Sequence, residues 1–231
     1  MKKVDQPKSK RFVAAKKSVD PKKSYPIAEA IELAKKTSTV KFDATIEAHF
    51  RLGIDTKKSD QQVRSSVALP HGTGKTVRVA VIAADGDQQK SAKAAGADLV
   101  GEKDLVEEIK GGKINFDILV ATPDGMKLLA PVAKILGPKG LMPNPKDGTV
   151  SANVGDVVAK LKKGKINFKN DDSGIIHTII GKTSFETQKL VENFQTILEG
   201  VTRAKPSSAK GAYIKNITIA SSMGPGIRVS L

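Results

Sequence analysis

The sequence predicts a two-domain protein of mixed α/β and α+β class: a discontinuous α+β domain formed by both chain ends, and a three-layer α/β domain inserted between them. Three observations carry this expectation. Charge is partitioned along the chain, with a net +8 over residues 1–67, 0 over residues 68–158 and +7 over residues 159–231. A long alternating strand near residue 41 has no partner of its own kind close by, and strands and helices alternate through the middle of the chain. The domains are therefore expected at 1–67 with 159–231, and at 68–158, with a hinge where the chain crosses twice. At 231 residues and 39% hydrophobic, the chain has ample material for packed cores. The first 23 residues hold 9 basic and 2 acidic side chains, an excess that a mobile arm would also explain, so the C-terminal segment is the firmer half of the charge argument.

Taken in order, "SYPIAEAIELAKK" reads as a helix, with Pro26 suited to its first turn and Ile27, Ile31 and Ala34 on one face. "KFDATIEAHFRLGI" alternates over residues 41–54. Phe42, Ala44, Ile46, Ala48, Phe50, Leu52 and Ile54 are expected inside, and Lys41, Asp43, Thr45, Glu47, His49 and Arg51 outside. The middle reads strand "VRVAVIAA", helix "QQKSAKAAG", strand "ADLVG", helix "EKDLVEEIKGG", strand "FDILVATP" and helix "DGMKLLAPVAKILG", with Gly96, Gly111 and Gly137 ending helices. The partners of the first strand are expected beyond it, in "GKINFKN", "IIHTIIG" and "YIKNITIAS". Between the last two lies the helix "TSFETQKLVENFQTILEG", opened by Thr183 and Glu186 at capping-box spacing.

The chemistry-bearing residues argue against catalysis. Without cysteine there is no disulfide, thiolate zinc or iron–sulfur site, and His49, His71 and His177 are too scattered to suggest a ligand pair, so no metal and no cofactor are expected. "PHGTGKT" ends like a phosphate-binding P-loop but has Leu69 where the first glycine belongs, and a β-rich run follows Lys75 where a helix should. No G-x-G-x-x-G follows the first strand of the middle segment. Asp85 and Asp87 read as acceptors for backbone donors at a helix start. No nucleophile, base and orienting group can be assembled.

A net charge of +15 points to a polyanion, with nucleic acid ahead of an anionic membrane surface. No apolar run approaches a membrane span, and the lysine-rich start lacks the apolar stretch of a secretory signal, so a cytoplasmic location is expected. Aromatic residues make up only 4%, which disfavours base stacking on a sheet face. The outer face of "KFDATIEAHF", the turn "KKGKINFKNDDSG" and the segment "SSMGPGIRV" instead offer lysines, hydroxyls and glycines. In the last of these, short side chains allow close approach to a sugar-phosphate chain and Met223 can lie flat on a base or ribose, which suits folded RNA read by shape, phosphates and 2′-hydroxyls.

The loop "ILGPKGLMPNPKDGTV", residues 135–150, is rigid and basic and has Asp147 as its single acid. "GPKGLMPNPKDGTV" resembles the signature of the ribosomal protein L-one family, in its bacterial form. "KFDATIE", "FKNDDSGIIHTIIGKTSF" and "SSMGPGIRV" resemble further family segments in the same order, covering the chain from about residue 25 to its end. Ala44 stands where many members have Glu, and Ser222 replaces a Thr. The resemblance implies two domains, the first binding large-subunit ribosomal RNA and the second an α/β insertion on a hinge. It implies a non-enzymatic, ribosome-associated protein of the mobile stalk that helps deacylated tRNA leave the exit site. It also implies a monomer when free that represses translation by binding the leader of its own operon mRNA. Carried over residue by residue, the RNA contacts are Phe42, Thr45 and Glu47 on the first strand, Lys169 and Ser173 after the second crossing, and Ser222, Met223 and Gly224 near the end. Phe42 has to leave the buried face to serve there. Lys139 and Lys146 face either RNA or the other domain.

Overall fold

The computed structural model describes residues 9–83 and 86–230, and of Lys146 the backbone alone. The expectation for Asp85 and the start of the basic arm, residues 1–8, lie outside the described residues. The N-terminal elements are α1 (Lys10–Lys17), α2 (Ile27–Lys36), β1 (Thr45–Leu52) and β2 (Arg64–Ala68). Next come β3 (Val79–Ile82), α3 (Gly86–Ala94), β4 (Leu99–Gly101), α4 (Lys103–Lys110), β5 (Ile118–Ala121), α5 (Pro123–Leu129) and α6 (Ala133–Leu136). The chain ends with α7 (Val154–Lys162), β6 (Lys165–Lys169), β7 (Ile175–Lys182), α8 (Thr187–Arg203), β8 (Ile214–Ser221) and β9 (Ile227–Val229). The fold is mixed, with helices and three sheets, and its contacts divide it into one unit of residues up to Val63 with Phe168–Leu231 and a second of Arg64–Asn167.

In the first unit, β1 is central because its alternation supplies one apolar face. The strand order is β7-β1-β8-β9, and every pairing is antiparallel. Ile46, Ala48, Phe50, Ile176, Ile180, Ile217 and Ile219 are buried, as are Ala30, Ile31 and Ala34 of α2 and Leu190, Phe194, Ile197 and Val201 of α8. The rings of Phe50 and Phe194 stack with centroids 5.8 Å apart, and full burial of each contributes roughly 2–3 kcal/mol. Asn193 is enclosed in the same core and donates through Nδ2 to the Ile180 carbonyl at 2.8 Å.

The second unit has a three-stranded parallel sheet in the order β4-β3-β5. Each residue of β3 is buried, because both faces are covered. Ala80 and Ile82 meet Leu105, Val106 and Ile109 of α4, Leu129 of α5 and Leu136 of α6. Val79 and Val81 meet Ala92 of α3 and Val154, Val158 and Leu161 of α7. Gly125 is required where α5 crosses β3, since a Cβ there would stand 2.7 Å from the Ile82 carbonyl oxygen.

Several expectations need correction. Phe42 is 57% exposed and precedes β1, which starts only at Thr45, so the alternation does not extend to it. β6 pairs with β2 in a separate two-stranded sheet instead of joining β1. The capping box does not form: α8 is capped at Glu186, and the Thr183 hydroxyl donates to Asp43 instead. Pro26 caps α2 from just outside it. The single helix expected over 124–137 is broken, with a 3₁₀ turn at Ala130–Val132 where Pro131 cannot donate a helical hydrogen bond. Gly111 keeps a negative φ, and Gly112 takes the left-handed position after α4. The unit Arg64–Asn167 takes in α7, whose Val154, Val158 and Leu161 pack in its core. The unit up to Val63 with Phe168–Leu231 carries +10 and the unit Arg64–Asn167 +5, because Arg64, Lys160, Lys162, Lys163 and Lys165 flank the neutral segment 68–158.

Candidate nucleic-acid interface

All eight candidate RNA contacts belong to the first unit, where they form two clusters. The first cluster lies at the start of β1. Ser222 N–H donates to the Thr45 carbonyl at 2.9 Å, and Thr45 N–H donates to Ser222 Oγ at 3.2 Å, tying the turn after β8 to the first residue of β1. Lys182, the register partner of Thr45, donates through Nζ to Thr45 Oγ1 at 3.0 Å and to the Asp43 carbonyl at 3.3 Å. Asp43 accepts from the Thr183 and Ser184 hydroxyls, each at 2.9 Å, and from Ser184 N–H at 3.1 Å. Desolvation raises the Asp43 pKa, but these hydrogen bonds and the Lys182 charge outweigh it and hold the carboxyl below its ordinary value.

This bracket presents two large apolar side chains to solvent, Phe42 at 57% and Met223 at 71% exposed. Met223 has φ 63°, the one non-glycine residue in the left-handed region among the described residues. Such a conformation is strained and persists only where its surroundings enforce it. Here Gly224 N–H returns to the Ser221 carbonyl at 2.8 Å, and a Cβ on Gly224 would force the Ser221 hydroxyl out of its place. Glu47 projects from the half-exposed face of β1, two residues in from Thr45, opposite Ile179 and Ala220.

Lys169 and Ser173 stand at the other end. Thr45 pairs with Lys182 and Arg51 with Ile175, so six residue steps of strand, about 20 Å, separate the two ends of the ladder. Lys169 and Ser173 are exposed, and Ser173 N–H donates to Asp171 Oδ1 at 2.9 Å. The Asp171 pKa is lowered, first by the Ile175 N–H bond and then by His177 and Ser173, against desolvation. Sequence reading missed Lys182, Asp43, Thr183 and Ser184 as parts of the first cluster. Asp43 is a chain neighbour of Thr45, but only the β1–β7 register brings Lys182, Thr183 and Ser184 to it, and spacing along the chain carries no signal for that.

The Gly/Pro loop is in the second unit and its acid is turned inward. Arg64 grips Asp147 with both ends of its guanidinium, Nε at 2.7 Å from Oδ1 and the second nitrogen on Oδ2. Lys165 Nζ donates to the Asp147 carbonyl at 3.0 Å, and Asn144 N–H to Thr149 Oγ1 at 2.8 Å. Lys139 is exposed, whereas the side chain of Lys146 lies outside the description. Among the described residues no three metal-ligating side chains converge, and no helix is long and apolar enough to cross a membrane.

The model of the Ribosomal protein L1p/L10e family matches residues 34–225. The chain belongs to this family. Membership makes it a structural, non-enzymatic constituent of the large ribosomal subunit that binds ribosomal RNA, and it associates the chain with the ribosome. The match takes in β1, β7, the turn after β8 and the whole Gly/Pro loop.

Proposed function

We propose that this chain forms the mobile stalk beside the tRNA exit site, gripping folded large-subunit RNA with the first unit and carrying the second on a hinge. In this reading stalk movement assists release of deacylated tRNA. The free monomer binds a leader of its own operon mRNA that imitates the ribosomal site, and so represses translation. The observation that carries the reading is the Asp43–Lys182–Thr45–Ser222 bracket. It holds Phe42 and Met223 out of the protein's own core beside hydroxyl, ammonium and backbone groups suited to ribose and phosphate. Lys169 and Ser173 supply a second contact about 20 Å away along the strands, so the RNA recognised is one whose folded shape spans both ends of the sheet.

The test uses a stalk fragment of ribosomal RNA, the mRNA leader, duplex DNA and ATP as competing ligands. Specific binding to both RNAs, falling with salt at a log-log slope of several units, is expected. Equal affinity for duplex DNA, or ATP binding by the second unit, would sink the proposal. Replacing residues 64–167 by a short Gly/Ser linker sharpens it. Val63 and Asn170 are already joined by two hydrogen bonds, of 3.1 and 2.7 Å, so the remaining ends meet without strain. This shortened chain should fold and keep most of the RNA affinity, and an inert product would remove the assignment of the site to the first unit.

A further inference from the structure

His49 and His177 were too far apart in sequence to read as a pair, yet the fold sets them side by side. They are register partners on β1 and β7. Leu52 N–H donates to the Gly174 carbonyl at 2.8 Å, and counting back along the ladder makes 49/177 a non-hydrogen-bonded pair, the kind whose side chains approach most closely. The two Nδ1 atoms are 2.8 Å apart, with ring centroids at 5.0 Å and planes inclined by 65°. We propose that His49 and His177 form a two-histidine site for a divalent transition-metal ion of the copper(II) or nickel(II) class on the outer face of the four-stranded sheet.

The tautomers are set by a third group. Asp171 is fixed through Oδ1 by the N–H groups of Ser173 and Ile175, at 2.9 and 2.7 Å, and its Oδ2 faces His177 Nε2 at 3.4 Å. A proton on Nε2 donates to that carboxylate and leaves the His177 Nδ1 lone pair free to accept from His49. This is the carboxylate–histidine arrangement that orients metal-bound imidazoles. On metal binding, His49 shifts its proton from Nδ1 to Nε2 through solvent, and both Nδ1 lone pairs turn to the ion with no net proton released from the neutral pair.

The close pairing also favours one class of metal, provided that the rings turn about their χ angles and keep the two nitrogens near this spacing. With metal–nitrogen bonds of about 2.0–2.1 Å, a nitrogen separation of 2.8 Å subtends roughly 85–90° at the ion. That angle matches adjacent positions of a square-planar or octahedral complex and falls well short of the tetrahedral angle zinc prefers. The His177 side chain is 53% exposed, so water can fill the remaining positions.

The test is a titration of the untagged full chain with copper(II), nickel(II) and zinc chloride, read by calorimetry and, for copper, by electron paramagnetic resonance. One copper per chain with two-nitrogen hyperfine coupling is expected. His49→Gln and His177→Gln should each weaken it at least about tenfold, and Asp171→Asn by a similar factor through loss of orientation. His71→Gln should leave binding unchanged. Both histidine changes lie on a solvent-facing sheet surface, and unchanged melting curves check that the fold is kept. Copper binding indifferent to His49→Gln and His177→Gln, or zinc bound as tightly as copper, would overturn the proposal.

Discussion

The two larger sheets of this molecule solve opposite problems. The four-stranded antiparallel sheet buries one face against α2 and α8 and leaves Thr45, Glu47, His49, Arg51 and His177 toward solvent, so β1 alternates in burial. The three-stranded parallel sheet is covered on both faces, and every residue of β3 is enclosed. Polar, ligand-ready chemistry therefore collects on the first sheet's face and ends. In the second unit the sheet itself presents none, and in the Gly/Pro loop much of the polar chemistry is spent on internal bonds. A half-covered sheet can recognise something with its backbone-fixed side chains, whereas a doubly covered one can only carry its loops.

The sharpest way to break this contrast is to place a charge on each sheet. Val81→Asp buries a carboxylate between α3, α7 and β3 with no partner, and should cost at least about 4 kcal/mol, enough to unfold the second unit. Thr218→Asp, on the half-exposed face of β8, should cost well under about 1 kcal/mol. Urea unfolding of the two variants measures the difference, and equal costs would refute the contrast. Next in size is Arg64→Ala, which strands the Asp147 carboxylate. The loss should be on the order of 2–3 kcal/mol, below that of a fully enclosed pair because 34% of the Arg64 side chain keeps contact with water. Arg64→Met combined with Asp147→Leu should recover much of it, which a pure charge-counting view does not expect.

Two substitutions where the turn after β8 meets the start of β1 separate folding from recognition. Thr45→Val leaves the strand intact but removes the hydroxyl held by Lys182, and should cost about 1–3 kcal/mol of RNA affinity with little loss of stability. Met223→Gly relieves the strained φ of 63° and should stabilise the fold by up to about 1 kcal/mol while weakening RNA binding. A glycine variant that melts lower and binds as tightly would show that Met223 serves packing alone.

The contrast was partly legible beforehand. Period-two alternation identified β1, and the succession of short apolar runs and helices identified the parallel sheet, because both signals are local. What escaped is what depends on register or on a competing partner. Thr183 has the spacing of a helix cap, yet the nearby Asp43 carboxylate takes its hydroxyl. The helix α7 has Val154, Val158 and Leu161 on one face, a stripe that lies where the charge partition places a domain crossing. The histidine pair needs the β1–β7 register, which neither segment encodes alone.

The smallest predicted effect compares two carboxylates that do the same structural work in the two units. Asp98 Oδ2 accepts from Lys162 Nζ and from Val79 N–H, both at 2.7 Å, joining α7 to the edge of β3, much as Asp43 joins β1 to the segment after β7. The Lys162 bond, then the Val79 bond, lower the Asp98 pKa against desolvation. A folded value below the unfolded one means the unfolded chain takes up the proton first. The stabilisation is therefore present above about pH 4, the ordinary aspartate value, and is lost as pH falls through the lowered folded value. Asp98→Asn should remove part of that acid dependence and cost no more than about 1 kcal/mol at neutral pH, since 41% of the side chain is exposed and the ion pair is screened. Asp43→Asn should flatten the acid limb in the same direction. The two should part company on RNA: Asp43→Asn loosens the bracket that presents Phe42 and should weaken binding, whereas Asp98→Asn should leave it unchanged. If the two variants shift RNA affinity equally, recognition is not confined to the half-covered sheet, and the division of labour between the units fails.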